Sequence, residues 1–305
     1  MDNGMNVLIL GYGEMGHAME HLLLNRHRLD IWDIYSNDQF KPVVLEEAAA
    51  MADVLLFCLP VNPHRKIAQY IEPLLNKNCI CLSIAKGLDE NGQTAAQIFA
   101  DVFKDKISFA LLYGPMISEE IRANRPAFGQ LGYLDYSVFE RISDLFKGTN
   151  LYIEPSTDIP GISWSVILKN VYAMVFGMAD ELNLGDNMRG YLAVASLHEL
   201  DSIVRKMGGA ATSPFHLAGL GDLITTATSE DSHHHELGRK LARGETEGIS
   251  GEGIHTLAMV EKFNLFDTGA YPLFELVAKI VKNPQHAKSQ IQQHLKIVFN
   301  ACRVN

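Results

Sequence analysis

Val7-Leu8-Ile9-Leu10-Gly11-Tyr12-Gly13-Glu14-Met15-Gly16 decides the fold. Four apolar residues suited to a strand buried on both faces run into a glycine turn, and a helical pattern starts at Glu14. In this G-x-G-x-x-G arrangement Gly11 permits the tight turn, Gly13 lets the backbone approach a pyrophosphate, and Gly16 lets the helix pack on the strand. The helix start adds unpaired N–H groups and the positive end of its dipole, both suited to phosphate. The expectation is a dinucleotide site built by Gly11, Tyr12, Gly13, Glu14, Met15 and Gly16, joined by Leu59 and Pro60 at the end of a later strand.

Outward from this turn, the first half of the chain alternates strands and helices. Apolar runs predict strands at 6–10, 28–32, 53–59, 78–84 and 108–112, with helical patterns at 14–26, 64–75 and 94–104, and two further strands at 127–133 and 150–154. Short apolar strands separated by helices predict a Rossmann-type, doubly wound parallel sheet. The texture changes at Glu154-Pro155, beyond which helical patterns cover 162–182, 188–207, 234–242, 252–262, 271–281 and 288–302. The 305 residues are therefore read as an α/β chain of two domains, a dinucleotide-binding domain at 1–157 and an all-α substrate and catalytic domain at 158–305. No repeat of 20–50 residues and no low-complexity segment interrupts it.

The second strand ends in Asp30-Ile31-Trp32-Asp33, with Asp33 seventeen residues after Gly16. A carboxylate there accepts hydrogen bonds from an adenosine 2′-hydroxyl and repels a 2′-phosphate, which favours NAD over NADP.

The formal net charge is -10, which disfavours nucleic acid as a partner but leaves room for a small anionic substrate in a locally positive pocket. Cys58, Cys79, Cys81 and Cys302 lack zinc-site spacing and are read as reduced thiols. The consecutive imidazoles of His233-His234-His235 point about 100° apart on a helix, so no metal site is expected there or elsewhere. Neither a signal peptide nor an apolar run approaching bilayer length is evident, and the expected setting is cytoplasmic, with no membrane partner. The apolar helices of the second half suit a homodimer interface and an ordinary core equally well.

Three more segments carry chemistry. Ser83-Ile84-Ala85-Lys86-Gly87 closes a strand on a lysine. Leu168-Lys169-Asn170 puts two polar residues inside an apolar helix, where each needs a partner or a function. Gly219-Leu220-Gly221-Asp222-Leu223-Ile224-Thr225-Thr226 reads as a glycine-rich loop leading to an acid and hydroxyls. Singly, each has a bland reading: a solvated loop end, a snorkelling lysine, a helix cap.

Together, in order and spacing, they resemble the bacterial NAD(P)-dependent glycerol-3-phosphate dehydrogenases. The resemblance covers nearly the whole chain: Gly11–Gly16, Lys86-Gly87, Gly114-Pro115 with Glu120, Leu168-Lys169-Asn170, Gly185-Asp186-Asn187, residues 219–226, and Glu252-Gly253 with Thr256. It implies that Lys169 is the general acid that protonates the carbonyl oxygen as hydride reaches its carbon. A lysine serves this near neutral pH when partial burial and a cationic neighbour lower its pKa. Lys86 would be that neighbour, polarising the carbonyl oxygen and touching both cofactor and substrate. Asp222 would orient Lys169 or a substrate hydroxyl, Gly114, Asn170 and Thr226 would contact a polar, phosphorylated substrate, and Glu252 would lie near the nicotinamide.

The chain also departs from the family. A Ser-Arg-Asn-Arg run, whose first arginine and asparagine grip the substrate phosphate, is here Ser232-His233-His234-His235. An arginine offers a planar, permanently charged fork, whereas a histidine is largely neutral at pH 7. Ser163 stands where a glutamate is expected, Val166 where a glycine is, and Ala195 where an arginine is, and the segment between Asp33 and Asp53 is abbreviated. Cofactor chemistry is thus kept more clearly than phosphate recognition. The leading expectation is hydride transfer between NAD(H) and dihydroxyacetone phosphate or glycerol 3-phosphate. The alternatives are a paralogue acting on a related polar carbonyl compound without the phosphate, and a nucleotide-sensing protein without catalysis. The glycine loop also resembles 3-hydroxyacid dehydrogenases, which carry a Lys-x-x-x-Asn helix, but Ala173 occupies that asparagine position.

Overall fold

The computed structural model describes residues 4–36, 40–229 and 232–302. The chain divides into two compact units, Met1–Ser163 and Trp164–Asn305.

The first unit alternates β1 (Asn6–Leu10), α1 (Glu14–Leu23), β2 (Arg28–Trp32), α2 (Leu45–Met51), β3 (Val54–Phe57), α3 (His64–Ile71), β4 (Ile80–Ser83), α4 (Ala95–Phe103), β5 (Ser108–Tyr113), α5 (Ser118–Arg122), β6 (Ala127–Tyr133), α6 (Tyr136–Phe146) and β7 (Leu151–Ser156). The strands form one sheet in the order β2-β1-β3-β4-β5-β6-β7. Every residue of β3 and β4 is buried, as strands with helices on both faces must be. Because β1 lies between β2 and β3, the order in which the chain adds strands reverses at β1, and the crevice beyond the carboxyl ends of β1 and β3 is where such sheets bind ligands.

The sheet is parallel from β2 through β5, as expected, while β6 runs antiparallel to β5 and β7 beside it is parallel to β6. The connection between β5 and β6 holds only the five-residue α5, whose length of about 7.5 Å cannot carry the chain back along a strand of about 20 Å. The chain therefore turns back. β5 and β6 are both apolar runs, and such runs read alike in either direction.

The second unit is helical: α7 (Ile159–Glu181, beginning just ahead of the division), α8 (Asp186–Lys206), α9 (Asp222–Thr228), α10 (His233–Ala242), α11 (Glu252–Phe263), α12 (Pro272–Lys282) and α13 (Ala287–Cys302). At 23 residues, α7 is long and apolar enough to cross a bilayer. This overturns the expectation that no run has that length. Its most apolar stretch is wholly buried, and that explains its composition: a core helix has no solvent-facing side to keep polar.

α7 and α10 cross where each carries a glycine. A Cβ on Gly177 would lie 1.9 Å from the carbonyl oxygen of His235, and one on Gly238 would lie 2.0 Å from that of Met174. The two backbones therefore touch without side chains between them.

The expected loop at 219–226 is not a loop. Leu217–Gly221 winds into a single π turn that runs directly into α9. The glycines suggested a loop, but they wind into the turn, and Thr225, Thr226 and Thr228 each donate to a carbonyl four residues back, which satisfies their hydroxyls inside the helix.

Candidate functional site

The expected site residues fall into two sets, one in each unit. In the first, a cleft of about 770 Å³ opens at the carboxyl ends of β1 and β3, lined by Gly11, Tyr12, Gly13, Asp33, Leu59 and Pro60 among others. All six were expected at the dinucleotide. Gly11 has φ +96°, a region that favours glycine, and a Cβ on it would press to 2.7 Å from the Leu59 side chain. A Cβ on Gly16 would sit 2.1 Å from the Gly11 carbonyl oxygen, so α1 can approach the turn only as glycine. A Cβ on Gly13 would meet nothing within 4 Å. That open space, facing the side-chain-free N-cap of α1, fits a pyrophosphate.

Asp33 does two things here. Its carboxylate accepts the Tyr12 backbone N–H at 2.7 Å and the Tyr35 backbone N–H at 3.0 Å, pinning both rims of the cleft. A carboxylate has about four acceptor sites, so it retains capacity for ribose hydroxyls. The Tyr12 ring lies 3.9 Å from that of His17 and 4.5 Å from that of Phe40, centroid to centroid. Its hydroxyl donates to Glu20 at 2.7 Å, and burial together with Glu20 pushes the phenol up to about 12, so it stays protonated. His17, Tyr35 and Phe40 line the cleft but carry no signal in the sequence.

Glu14 and Met15 are not among the cleft-lining residues. Glu14 pairs with Arg122 at 3.4 Å, and Met15 packs against the core. Lys86, half-buried beyond β4, donates from Nζ to the Gly114 carbonyl oxygen at 3.2 Å. Cys58, Cys79 and Cys81 are free thiols, and the side chain of Cys302 lies outside the described residues.

In the second unit, Lys169 stands in the middle of α7 with its side chain 5% exposed, and its Nζ lies 3.3 Å from Asp222 Oδ2, a carboxylate 4% exposed. Nζ also donates to Thr226 Oγ1 at 2.5 Å. Asp222 opens α9 and Thr226 follows one turn later, so the carboxylate and the hydroxyl share a helix face and converge on one ammonium. The Thr226 hydroxyl donates in turn to the Asp222 carbonyl oxygen at 2.7 Å. Asn170, also buried, donates from Nδ2 to Glu252 Oε2 at 3.1 Å, at the start of α11. An ammonium held this way by a carboxylate and a hydroxyl can deliver a proton to an oxygen or retrieve one.

The three imidazoles diverge. His233 Nε2 lies 2.9 Å from the Ser250 carbonyl oxygen and donates to it, while His234 Nε2 accepts the Gly253 N–H at 3.3 Å. His235 Nε2 pairs with Asp180 at 2.8 Å. Arg243 is engaged by Glu181, Glu236 and Glu245. Among the described residues, no group of three or more His, Cys, Asp or Glu could hold a metal ion.

Comparison with known proteins agrees across the chain. Residues 40–136 match the family described as NAD-dependent glycerol-3-phosphate dehydrogenase N-terminus, and residues 158–292 match its C-terminus. A glycerol-3-phosphate dehydrogenase (NAD(P)+) of Agrobacterium fabrum is 30% identical over 253 residues, covering 81% of this chain and 76% of that protein. One of Deinococcus radiodurans is 31% identical over 241 residues, covering 78% and 72%. The crystal structure of glycerol-3-phosphate dehydrogenase from Coxiella burnetii, at 22% identity, shares the fold with a TM-score of 0.84 over 95% of this chain and 99% of its own.

Proposed function

The chain belongs to the NAD-dependent glycerol-3-phosphate dehydrogenase family, and on that premise we propose that it interconverts dihydroxyacetone phosphate and glycerol 3-phosphate with NAD in preference to NADP. The observation that carries the reading is the buried Lys169–Asp222–Thr226 constellation. When bound, the reduced cofactor supplies a hydride to the carbonyl carbon. Lys169 Nζ gives a proton to the carbonyl oxygen, completing the alcohol, and takes one from the hydroxyl in reverse. Asp222 and Thr226 fix the ammonium so that this transfer needs no rearrangement.

Gly11, Tyr12, Gly13 and Gly16 hold the pyrophosphate, with Leu59 and Pro60 along the opposite wall, and Asp33 takes the ribose. Lys86 holds and polarises the carbonyl oxygen. Gly114, Asn170, His233 and His234 complete the substrate contacts, and Glu252, tied to Asn170, borders the nicotinamide. Cofactor binding thus belongs to the domain at 1–157 and proton transfer to the domain at 158–305. A cytoplasmic homodimer belongs to the same reading.

A second reading has one observation in its favour. His233 and His234 are both engaged, with Ser250 and Gly253, and neither has the fixed charge of a guanidinium. A polar carbonyl substrate without phosphate suits that arrangement. NADH oxidation with dihydroxyacetone phosphate, dihydroxyacetone and small keto acids separates the two. Faster turnover of the phosphorylated ketone supports the first reading, and equal turnover of dihydroxyacetone removes phosphate recognition. No oxidation with any carbonyl would remove the dehydrogenase itself.

A further inference from the structure

We infer that His64 is a positioning residue that ties the wall of the dinucleotide cleft to the strand end carrying Lys86. His64 opens α3 and is fully buried. Its Nδ1 lies 2.9 Å from the Pro60 carbonyl oxygen and its Nε2 lies 2.9 Å from Ser83 Oγ. A carbonyl oxygen only accepts, so Nδ1 carries the hydrogen. In the neutral ring Nε2 then presents a lone pair, and the Ser83 hydroxyl donates to it. Ser83 Oγ in turn accepts the Ala85 N–H at 3.2 Å. The ring packs against Phe57 and Phe99, with centroids 4.8 and 5.5 Å away. Burial there pushes the imidazole down to about 4, which keeps it neutral at working pH.

One ring therefore joins two segments that have no regular structure to hold them. Leu59 and Pro60 follow β3 and line the cleft, and Pro60 is fixed through its carbonyl oxygen. Ala85 and Lys86 follow β4, and Ala85 is fixed through Ser83, one residue before the lysine that reaches Gly114. Both bonds are made by the polar edge of the ring, and a leucine there would leave the Pro60 carbonyl oxygen and the buried Ser83 hydroxyl without this partner. The chain from Pro60 to Lys86 thus sets the cleft wall and a substrate-holding ammonium by a single tautomer. The second half of this statement rests on the role proposed for Lys86.

The two ends of the ring can be tested separately, because an asparagine amide reproduces the Nδ1 donor and a glutamine carbonyl reproduces the Nε2 acceptor. With His64→Asn the Pro60 bond persists and the Ser83 bond is lost. NADH affinity, titrated without substrate, should stay within about twofold of the parent, and kcat with dihydroxyacetone phosphate should fall about tenfold, the effect of one buried hydrogen bond. With His64→Gln the pattern should reverse: NADH binds about tenfold more weakly and kcat at saturating NADH is kept. Ser83→Ala should reproduce His64→Asn, and it carries the test if neither His64 variant folds. Parallel loss of affinity and kcat in both His64 variants, tracking a common drop in melting temperature, overturns the inference in favour of a purely structural histidine, as does no change in either. Lys86→Ala is measured alongside. If it leaves kcat intact, the role of Lys86 fails, while the cleft-wall role of His64 still stands or falls on the NADH titration.

Discussion

Lys169 and Asp222 face each other across 3.3 Å with 5% and 4% of their side chains exposed, so replacing one removes the other's counter-charge in a buried setting. Breaking such a pair costs about 3–5 kcal/mol. For a chain of this size each kcal/mol lowers the melting temperature by roughly 2–4 °C, so Lys169→Met or Asp222→Leu alone should melt about 6–20 °C below the parent. The double replacement removes both charges and substitutes apolar groups of similar volume, which is often neutral for stability. Thr226 tolerates it, because its hydroxyl still donates to the Asp222 backbone carbonyl. Catalysis should behave differently. Without the ammonium, turnover should fall by roughly 10²–10⁴-fold, the usual worth of a general acid, in Lys169→Met and in the double variant alike. NADH affinity should be largely kept in both. Calorimetry and NADH oxidation with dihydroxyacetone phosphate give both readings on the same samples. A double variant that recovers turnover together with stability would refute proton transfer by Lys169, and a single Lys169→Met with parental melting and turnover would refute the ion pair as well.

Gly13→Ala should leave folding unchanged, because its Cβ meets nothing within 4 Å, yet weaken NADH about tenfold; Gly16→Ala, with its Cβ 2.1 Å from the Gly11 oxygen, should lose about 1–3 kcal/mol of stability. Equal melting temperatures for the two would contradict the packing described. Asp33→Ala should narrow the preference for NADH over NADPH in isothermal titration, and a parent that binds the two equally removes Asp33 from cofactor selection. His64 titrates near 6.5 when unfolded and at about 4 when folded, so the unfolded chain binds more protons between these values and stability is lost as pH falls through that window. At pH 5 the difference of 1.5 units amounts to about 2 kcal/mol. Urea unfolding at pH 7.5 and pH 5 should show this loss in the parent and not in His64→Gln; an identical loss in both would exclude it.

Much of this was legible in the sequence, and the reasons differ by residue. β1 and β2 end where predicted because the glycine turn and Asp33 punctuate them. α6 carries a legible pattern too: Val138, Ile142, Leu145 and Phe146 repeat at helical spacing behind an Asp135 cap that accepts the Ser137 N–H. The direction of β6 was not legible, since alternating and continuous apolar runs carry no sign of polarity. In the second unit, Lys169 and Asp222 each stood out as a polar residue in apolar company. That they meet, across more than fifty residues of chain, is a property of packing that no local pattern encodes. The engagement of His233 and His234 by Ser250 and Gly253 is of the same kind. His64 gave no signal of its own, because a histidine that opens a predicted helix reads as an ordinary first-turn residue, and its partner Ser83 lies at the end of a distant strand.

The glycine crossing of α7 and α10 has a consequence for how this site can change. Backbone against backbone, with no side chains to reshuffle, leaves α10 no soft direction in which to slide or roll. His233 and His234 therefore ride on a fixed mount at its first turn. Lineages or designers that retarget the pocket can exchange what projects from that turn, but they inherit where it projects from. In the proposed function, substrate choice can then drift one residue at a time while Lys169, on the other helix of the same crossing, keeps its place.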